Sequence, residues 1–256
     1  MHNGMIKIIT GVRRCGKSYL LFELFKQSLL ENGVNEEHII QVDLEDRRNK
    51  HLREPDRLLD HIDGHITDND MYYILLDEIQ LVPEFEDVLN SYLKIKNTDV
   101  YVTGSNSRML SSDVKTEFRG RGYEIRVHPL SFSEFMSVFK GDKYMGLSEY
   151  MLYGGIPLVV LRESSSDKAA ALQNLFSEIY IRDIFKRNRI KNIGELEDLL
   201  NILSSAIGSL TNPEKLKNTF KTVKKSKITS KTIKKYLDCF EDSFLIESAQ
   251  RYDIKG

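Results

Sequence analysis

Short apolar, β-branched runs alternate with longer amphipathic stretches along the first half of the chain. MIKIIT (5–10), HIIQVDL (38–44), MYYILLDE (71–78), DVYVTG (99–104) and YEIRV (123–127) each read as a strand. Between them, KSYLLFELFKQSLLEN carries apolar residues at three- and four-residue spacing and ends at Gly33. Further helices are predicted after Pro55 and from Pro83 to about Lys96. Strands apolar on both faces and separated by helices imply an α/β fold, its parallel sheet covered on both sides. Residues 1–129 therefore read as a core with a five-stranded parallel sheet.

From Leu130 the strands give way to helices. SFSEFMSVF, LSEYMLYG and DKAAALQNLFSEIYIRDIFKR predict a helical lid over 130–190. In 191–256, Thr229 or Ser230 is placed to cap a helix through Tyr236 to about Asp242, and FLIESA reads as a strand. Helix, turn, helix and β-wing together predict a winged-helix-like region.

Composition narrows the class without moving these boundaries. At 41% hydrophobic, 29% charged and net charge −1, the 256-residue chain is an ordinary globular one, without the overall basic excess of a nucleic-acid glue. No apolar run reaches the roughly 18 residues of a membrane span, and MHNGMIKIITG lacks the features of a secretory leader. Cys15 and Cys239 make no disulfide framework, so the expected compartment is a reducing cytoplasm.

The candidate chemistry starts at GVRRCGKS (11–18), which fits G-x-x-x-x-G-K-[ST] between a strand and a helix, the context a phosphate-binding loop requires. Gly11 and Gly16 let the backbone turn N–H groups onto phosphate oxygens, and the helix N-terminus adds a positive dipole end. Lys17 is placed to reach β- and γ-phosphates, and Ser18 to offer its hydroxyl to Mg²⁺. The expected cofactor-binding set is Gly11, Val12, Arg13, Arg14, Cys15, Gly16, Lys17, Ser18 and Tyr19. YYILLDEIQ ends its strand in Asp77, which matches the carboxylate that holds Mg²⁺, and Glu78, which is suited to orient or deprotonate water. Such acids at a strand's C-terminal edge lie where open α/β sheets bind ligands. TGSNS offers Thr103, Ser105 or Asn106 to sense a γ-phosphate or place water, and is equally a turn rich in helix-capping residues. No Asn-Lys-x-Asp guanine-reading motif occurs, since NKHL (49–52) lacks the acid, which favours ATP over GTP.

TGVRRCGKS, YYILLDEIQ, VYVTGSNSRML, FRGRGYEIRVHPLSFSEF and YMLYGGIPLVV, in that order, resemble the prokaryotic AAA-type P-loop ATPases of the extended AAA+ class, related to archaeal-type and STAND ATPases. The resemblance implies a Mg²⁺-dependent ATPase whose nucleotide state moves core against lid. It also implies that Arg119 or Arg121 faces a γ-phosphate, in cis or from a neighbouring subunit of a homo-oligomer. Pro157, in GGIP, would lie near the base and sense nucleotide state; read alone, GGIP is a helix cap followed by a breaker. In the family a winged helix and then a restriction-endonuclease-like domain follow the core, so by this resemblance the chain is a truncated copy.

Nine lysines and one acid lie between Pro213 and Tyr236. Lys224, Lys225, Lys227, Lys231, Lys234 and Lys235 are either a DNA-binding face or a solvated one. His61 and His65 share a helix face with Asp63 nearby, but a third firm ligand is lacking and metal is not expected there. Three functions stay open: ATP hydrolysis, a nucleotide-gated regulatory switch with little turnover, and a DNA-binding regulator.

Overall fold

The computed structural model describes residues 4–104, 118, 120–177, 184–185, 188, 190 and 192–249. The chain divides into two compact units, Met1–Leu161 and Arg162–Gly256.

The first unit is built on five strands: β1 (Ile6–Thr10), β2 (Ile39–Asp43), β3 (Tyr72–Asp77), β4 (Thr98–Gly104) and β5 (Gly122–Arg126). They lie in the order β2-β3-β4-β1-β5, and every pairing is parallel. Every residue of β1 and β3 is buried, as a sheet covered on both faces requires. The pleat sorts their side chains. Ile6, Ile8, Ile74, Leu76, Val100 and Val102 pack with Leu58, Ile62, Val88 and Leu89, from helices Pro55–Asp63 and Phe85–Tyr92. Ile9, Tyr73, Leu75 and Tyr101 pack on the other face with Leu21 and Leu29. Those two come from a helix that starts at Lys17–Tyr19, passes through a π-helical stretch at Leu20–Phe25 and continues as Lys26–Glu31.

The helix expected over Pro83 to Lys96 is shorter. Glu84 sits in the left-handed region at φ 52 immediately before it. At its end the Thr98 hydroxyl, opening β4, lies 3.1 Å from the carbonyl oxygens of both Tyr92 and Ile95. Helices Phe132–Val138, Lys143–Tyr153 and Pro157–Val160 follow in the first unit, and Ser165–Asn174 in the second.

In the second unit, helices Ile193–Ser205, Pro213–Thr219 and Ser230–Asp242 bury Leu196, Leu199, Leu216, Phe220, Ile233, Tyr236 and Phe240 in one core. Thr229 caps the last helix as expected, accepting from the Thr232 N–H at 3.1 Å. Of the expected wing, the strand FLIESA is not formed: Phe244 to Ala249 are described and are not a strand, and the residues after them lie outside the described ones. Phe244 turns left-handed at φ 55, and its N–H donates to the Glu241 carbonyl while the Leu245 N–H donates to Phe240, each at 2.9 Å. This is a helix-terminating turn, after which Leu245 and Ile246 pack back against the helical core. No helix among the described residues is long and apolar enough to cross a membrane.

One polar contact ties β1 to β4 deep in the sheet. The Lys7 ammonium pairs with Asp99, both almost wholly buried, with the Lys7 cation 5.2 Å from the Tyr101 ring centre and the Tyr101 hydroxyl donating to Asp99 at 3.1 Å. Asp99→Ala should leave a buried cation without its counter-charge and cost about 3–5 kcal/mol. Denaturant unfolding measures this, and an unchanged midpoint would contradict it.

Candidate phosphate-binding site

Parallel strands bring their C-terminal ends to one edge, and the registers set what stands there. Thr10 lies opposite Gly104 on one side and Arg126 on the other. Asp43 lies opposite Asp77. Leu76 pairs with Val102, so Asp77 comes level with Thr103.

The loop after β1 departs from ordinary backbone at three residues. Gly11 has φ 147, Arg14 φ 67 and Gly16 φ 100. At Gly11 the constraint is also steric, since a Cβ would come 2.1 Å from the Val127 carbonyl oxygen. Lys17, only 5% exposed, arches back over this loop and donates to the carbonyls of Gly11 at 3.0 Å and Val12 at 3.1 Å. A cavity of about 230 Å³ lies against it, lined by Arg13, Arg14, Gly16, Lys17, Ser18, Tyr19, Glu45, Glu78 and Leu158. Arg13 pairs there with Glu45 at 2.7 Å.

Ser18 and Asp77, 59 positions apart in sequence, meet at the edge: the serine hydroxyl donates to Asp77 Oδ2 at 2.8 Å. The Thr103 hydroxyl donates to Asp77 Oδ1, and the Glu78 N–H donates to Thr103 Oγ1 at 3.0 Å. Burial raises the Asp77 carboxyl above the usual aspartate range; the hydrogen bonds from Thr103 and Ser18 oppose that, and the charges of Glu78 and Asp43 reinforce it. A hydroxyl and a carboxylate side by side are the hard oxygen donors that Mg²⁺ selects, so the residues present fit that ion. Burial likewise pushes the Cys15 thiol up, against the pull of Lys17, so it is a packed filler and no reactive thiolate.

Of the residues expected from sequence, the loop from Gly11 to Tyr19, Asp77 and Glu78 are brought together. Arg121 is not. It precedes Gly122, which pairs with Ile6 at the start of β1, so it stands at the opposite edge of the sheet from the loop after Thr10. Arg119, Ser105 and Asn106 lie outside the described residues. Pro157 opens the short helix Pro157–Val160, and it is the next residue, Leu158, that lines the cavity. Sequence reasoning missed Leu158 and Glu45, which no local motif marks, and Gln80, whose amide donates to Glu78 Oε2. For Gln80 a signal existed in its spacing two residues beyond the acid.

The other candidates are placed as follows. The His61 and His65 rings stand 4.7 Å apart, with His65 Nδ1 2.7 Å from the His61 carbonyl oxygen, while Asp63 accepts from the Tyr92 hydroxyl at 2.9 Å. All six candidate DNA-binding lysines are exposed. Lys224 already pairs with Asp198 at 2.7 Å, and Lys235 donates to the Asn188 carbonyl at 3.3 Å. The six thus have the composition of a phosphate-binding face, with two of them already engaged by neighbours of their own unit.

A glycine-bearing loop between a buried strand and a helix, with its lysine turned onto it and its serine on a second strand's aspartate, defines a P-loop α/β protein. The chain belongs to the AAA domain family, whose model matches residues 3–136; that membership suggests nucleotide binding. A domain of unknown function matches residues 145–255. The chain is 35% identical to an uncharacterized protein of Haemophilus influenzae, covering 98% of this chain and 64% of that one. It is 29% identical to an uncharacterized protein of Methanocaldococcus jannaschii, covering 98% and 57% respectively. It thus spans less than two thirds of either relative's length. Among solved structures it is similar to the Aeropyrum pernix ORC1 protein in complex with DNA, with TM-score 0.38, 14% identity, and 94% of this chain and 78% of that one covered. It is also similar to C. elegans PCH-2, with TM-score 0.38, 17% identity and coverage of 94% and 61%.

The raised Asp77 carboxyl has a stability consequence. Its folded value lies above its unfolded one of about 3.9, so the folded state holds the proton more tightly. Stability then falls as pH rises from the unfolded value through the folded one. Asp77→Asn should remove that slope and be the more stable protein at neutral pH, with the gain vanishing below pH ~4. Unfolding titrations of both proteins at pH 3.5 and 7 measure this; a variant less stable at both would contradict it.

Proposed function

We propose that this chain binds ATP and hydrolyses it with Mg²⁺, coupling nucleotide state to movement of the helical segments after the sheet. The observation that carries this reading is the Ser18–Asp77 contact at 2.8 Å, which joins the two sequence motifs in one place beside the arched Lys17. Lys17 exchanges its two carbonyl contacts for β- and γ-phosphate oxygens, a trade of neutral acceptors for charged ones. Ser18 and Asp77 would hold Mg²⁺, which when bound would supply positive charge to offset that of the phosphates. Glu78, lining the cavity, takes a proton from the attacking water. The water oxygen bonds to the γ-phosphorus, the bond from that phosphorus to the bridging oxygen breaks, and ADP and inorganic phosphate leave. The absence of a guanine-reading motif supports adenine as the base.

Two variants separate the roles. Lys17→Ala should weaken ATP binding by about tenfold or more while the protein stays folded. Glu78→Gln should keep affinity within about twofold and lower turnover by about 10²–10⁴, since an amide cannot accept the proton. Calorimetric titration and phosphate release measure the two effects. Unchanged affinity in a folded Lys17→Ala protein would sink the phosphate role, and wild-type turnover in Glu78→Gln would sink the base. Tight binding with no wild-type turnover would leave the nucleotide-gated switch.

A further inference from the structure

Glu78 is held in an unusual way. It is a non-glycine residue in the left-handed region, at φ 54 and ψ 48, a conformation that costs free energy and persists only where the surroundings impose it. Its N–H is fixed on Thr103, as described, and it stands immediately before a single 3₁₀ turn, Ile79–Leu81. Within that turn, Gln80 donates its side-chain amide to Glu78 Oε2. The other end of the same amide, Gln80 Oε1, is buried and has no hydrogen-bond partner among the described residues.

The unpaired acceptor is the informative part. A buried carbonyl oxygen stripped of water and given no donor lowers stability. A leucine or methionine would fill much the same space without that cost, so stability does not account for a glutamine here. What glutamine alone supplies is the donor onto Glu78. We propose that Gln80 is a positioning residue: it holds the Glu78 carboxylate in one orientation, and the buried Oε1, unpaired among the described residues, is the stability given up for that hold. The inference rests on the hydrolytic reading above, in which Glu78 is the base. Gln80 itself lies outside the residues that line the cavity.

The opposed signs make a clean test on the full chain. Gln80→Leu should leave the melting temperature unchanged or raise it and leave the ATP dissociation constant within about twofold. It should lower kcat by about 10–100-fold, because a base that has lost this hold spends less time aligned. Gln80→Glu, which replaces the donor with a second acid, should lose at least as much. A Gln80→Leu protein with kcat within twofold of wild type would overturn the proposal. So would a loss of kcat accompanied by an equal loss of affinity or by a lower melting temperature, which would make Gln80 a packing residue. Failure of the underlying reading shows elsewhere: wild-type protein that binds ATP without releasing phosphate removes the base, and this proposal with it.

Discussion

One threonine hydroxyl carries the site. Thr103 Oγ1 accepts from the Glu78 backbone and donates to the Asp77 carboxylate, so one atom sets both the path of the chain leaving β3 and the orientation of its buried acid. The β3–β4 register, with Leu76 level with Val102, puts it there. Slipping that register by one residue would turn Thr103 to the other face of the sheet and leave Asp77 without its donor. The constraint reaches further, because the Asp77 oxygen not held by Thr103 is the one that meets Ser18. The packing of Ile74, Leu76, Val100 and Val102 therefore does more than build a core: it fixes where two acids and a phosphate loop meet.

The residues that sequence reveals and those it hides differ for a physical reason. A phosphate loop depends on local backbone geometry, and local geometry leaves a local pattern: Gly11 and Gly16 at fixed offsets, Lys17 and Ser18 next in line. The strands were legible because burial on both faces demands unbroken apolar runs, as in YYILLD. Glu45 and Leu158 reach the cavity only through tertiary folding, from the ends of segments whose own sequences serve other ends. Glu45 rides on a turn that Asp43 organises by accepting the N–H groups of Glu45 and Asp46. Leu158 is delivered by a turn in which Gly155 passes so close to Leu130 that a Cβ would lie 2.0 Å from its carbonyl oxygen.

The FLIESA strand failed as an expectation for a related reason. FLIESA has the composition of a strand, but a strand also needs a neighbour to pair with, and composition does not say whether one exists. The helix Ser230–Asp242 ends in a turn that uses the same apolar residues to close its own core. Arg121 is the converse case: its motif is specific, and its position at the far edge of the sheet gives it no path to the loop of its own chain.

Cys15 gives the phosphate loop a clock. Its thiol is 5% exposed and held in the protonated form by burial, within the loop that Lys17 arches back onto. A thiol reagent can reach it only in the fraction of time that the loop stands open. The other cysteine, Cys239, is buried in the second unit's helical core and answers to a different opening. The rate at which each sulfur is alkylated therefore reads the open fraction of one local region, so two natural residues report independently on how far the loop and the helical core breathe.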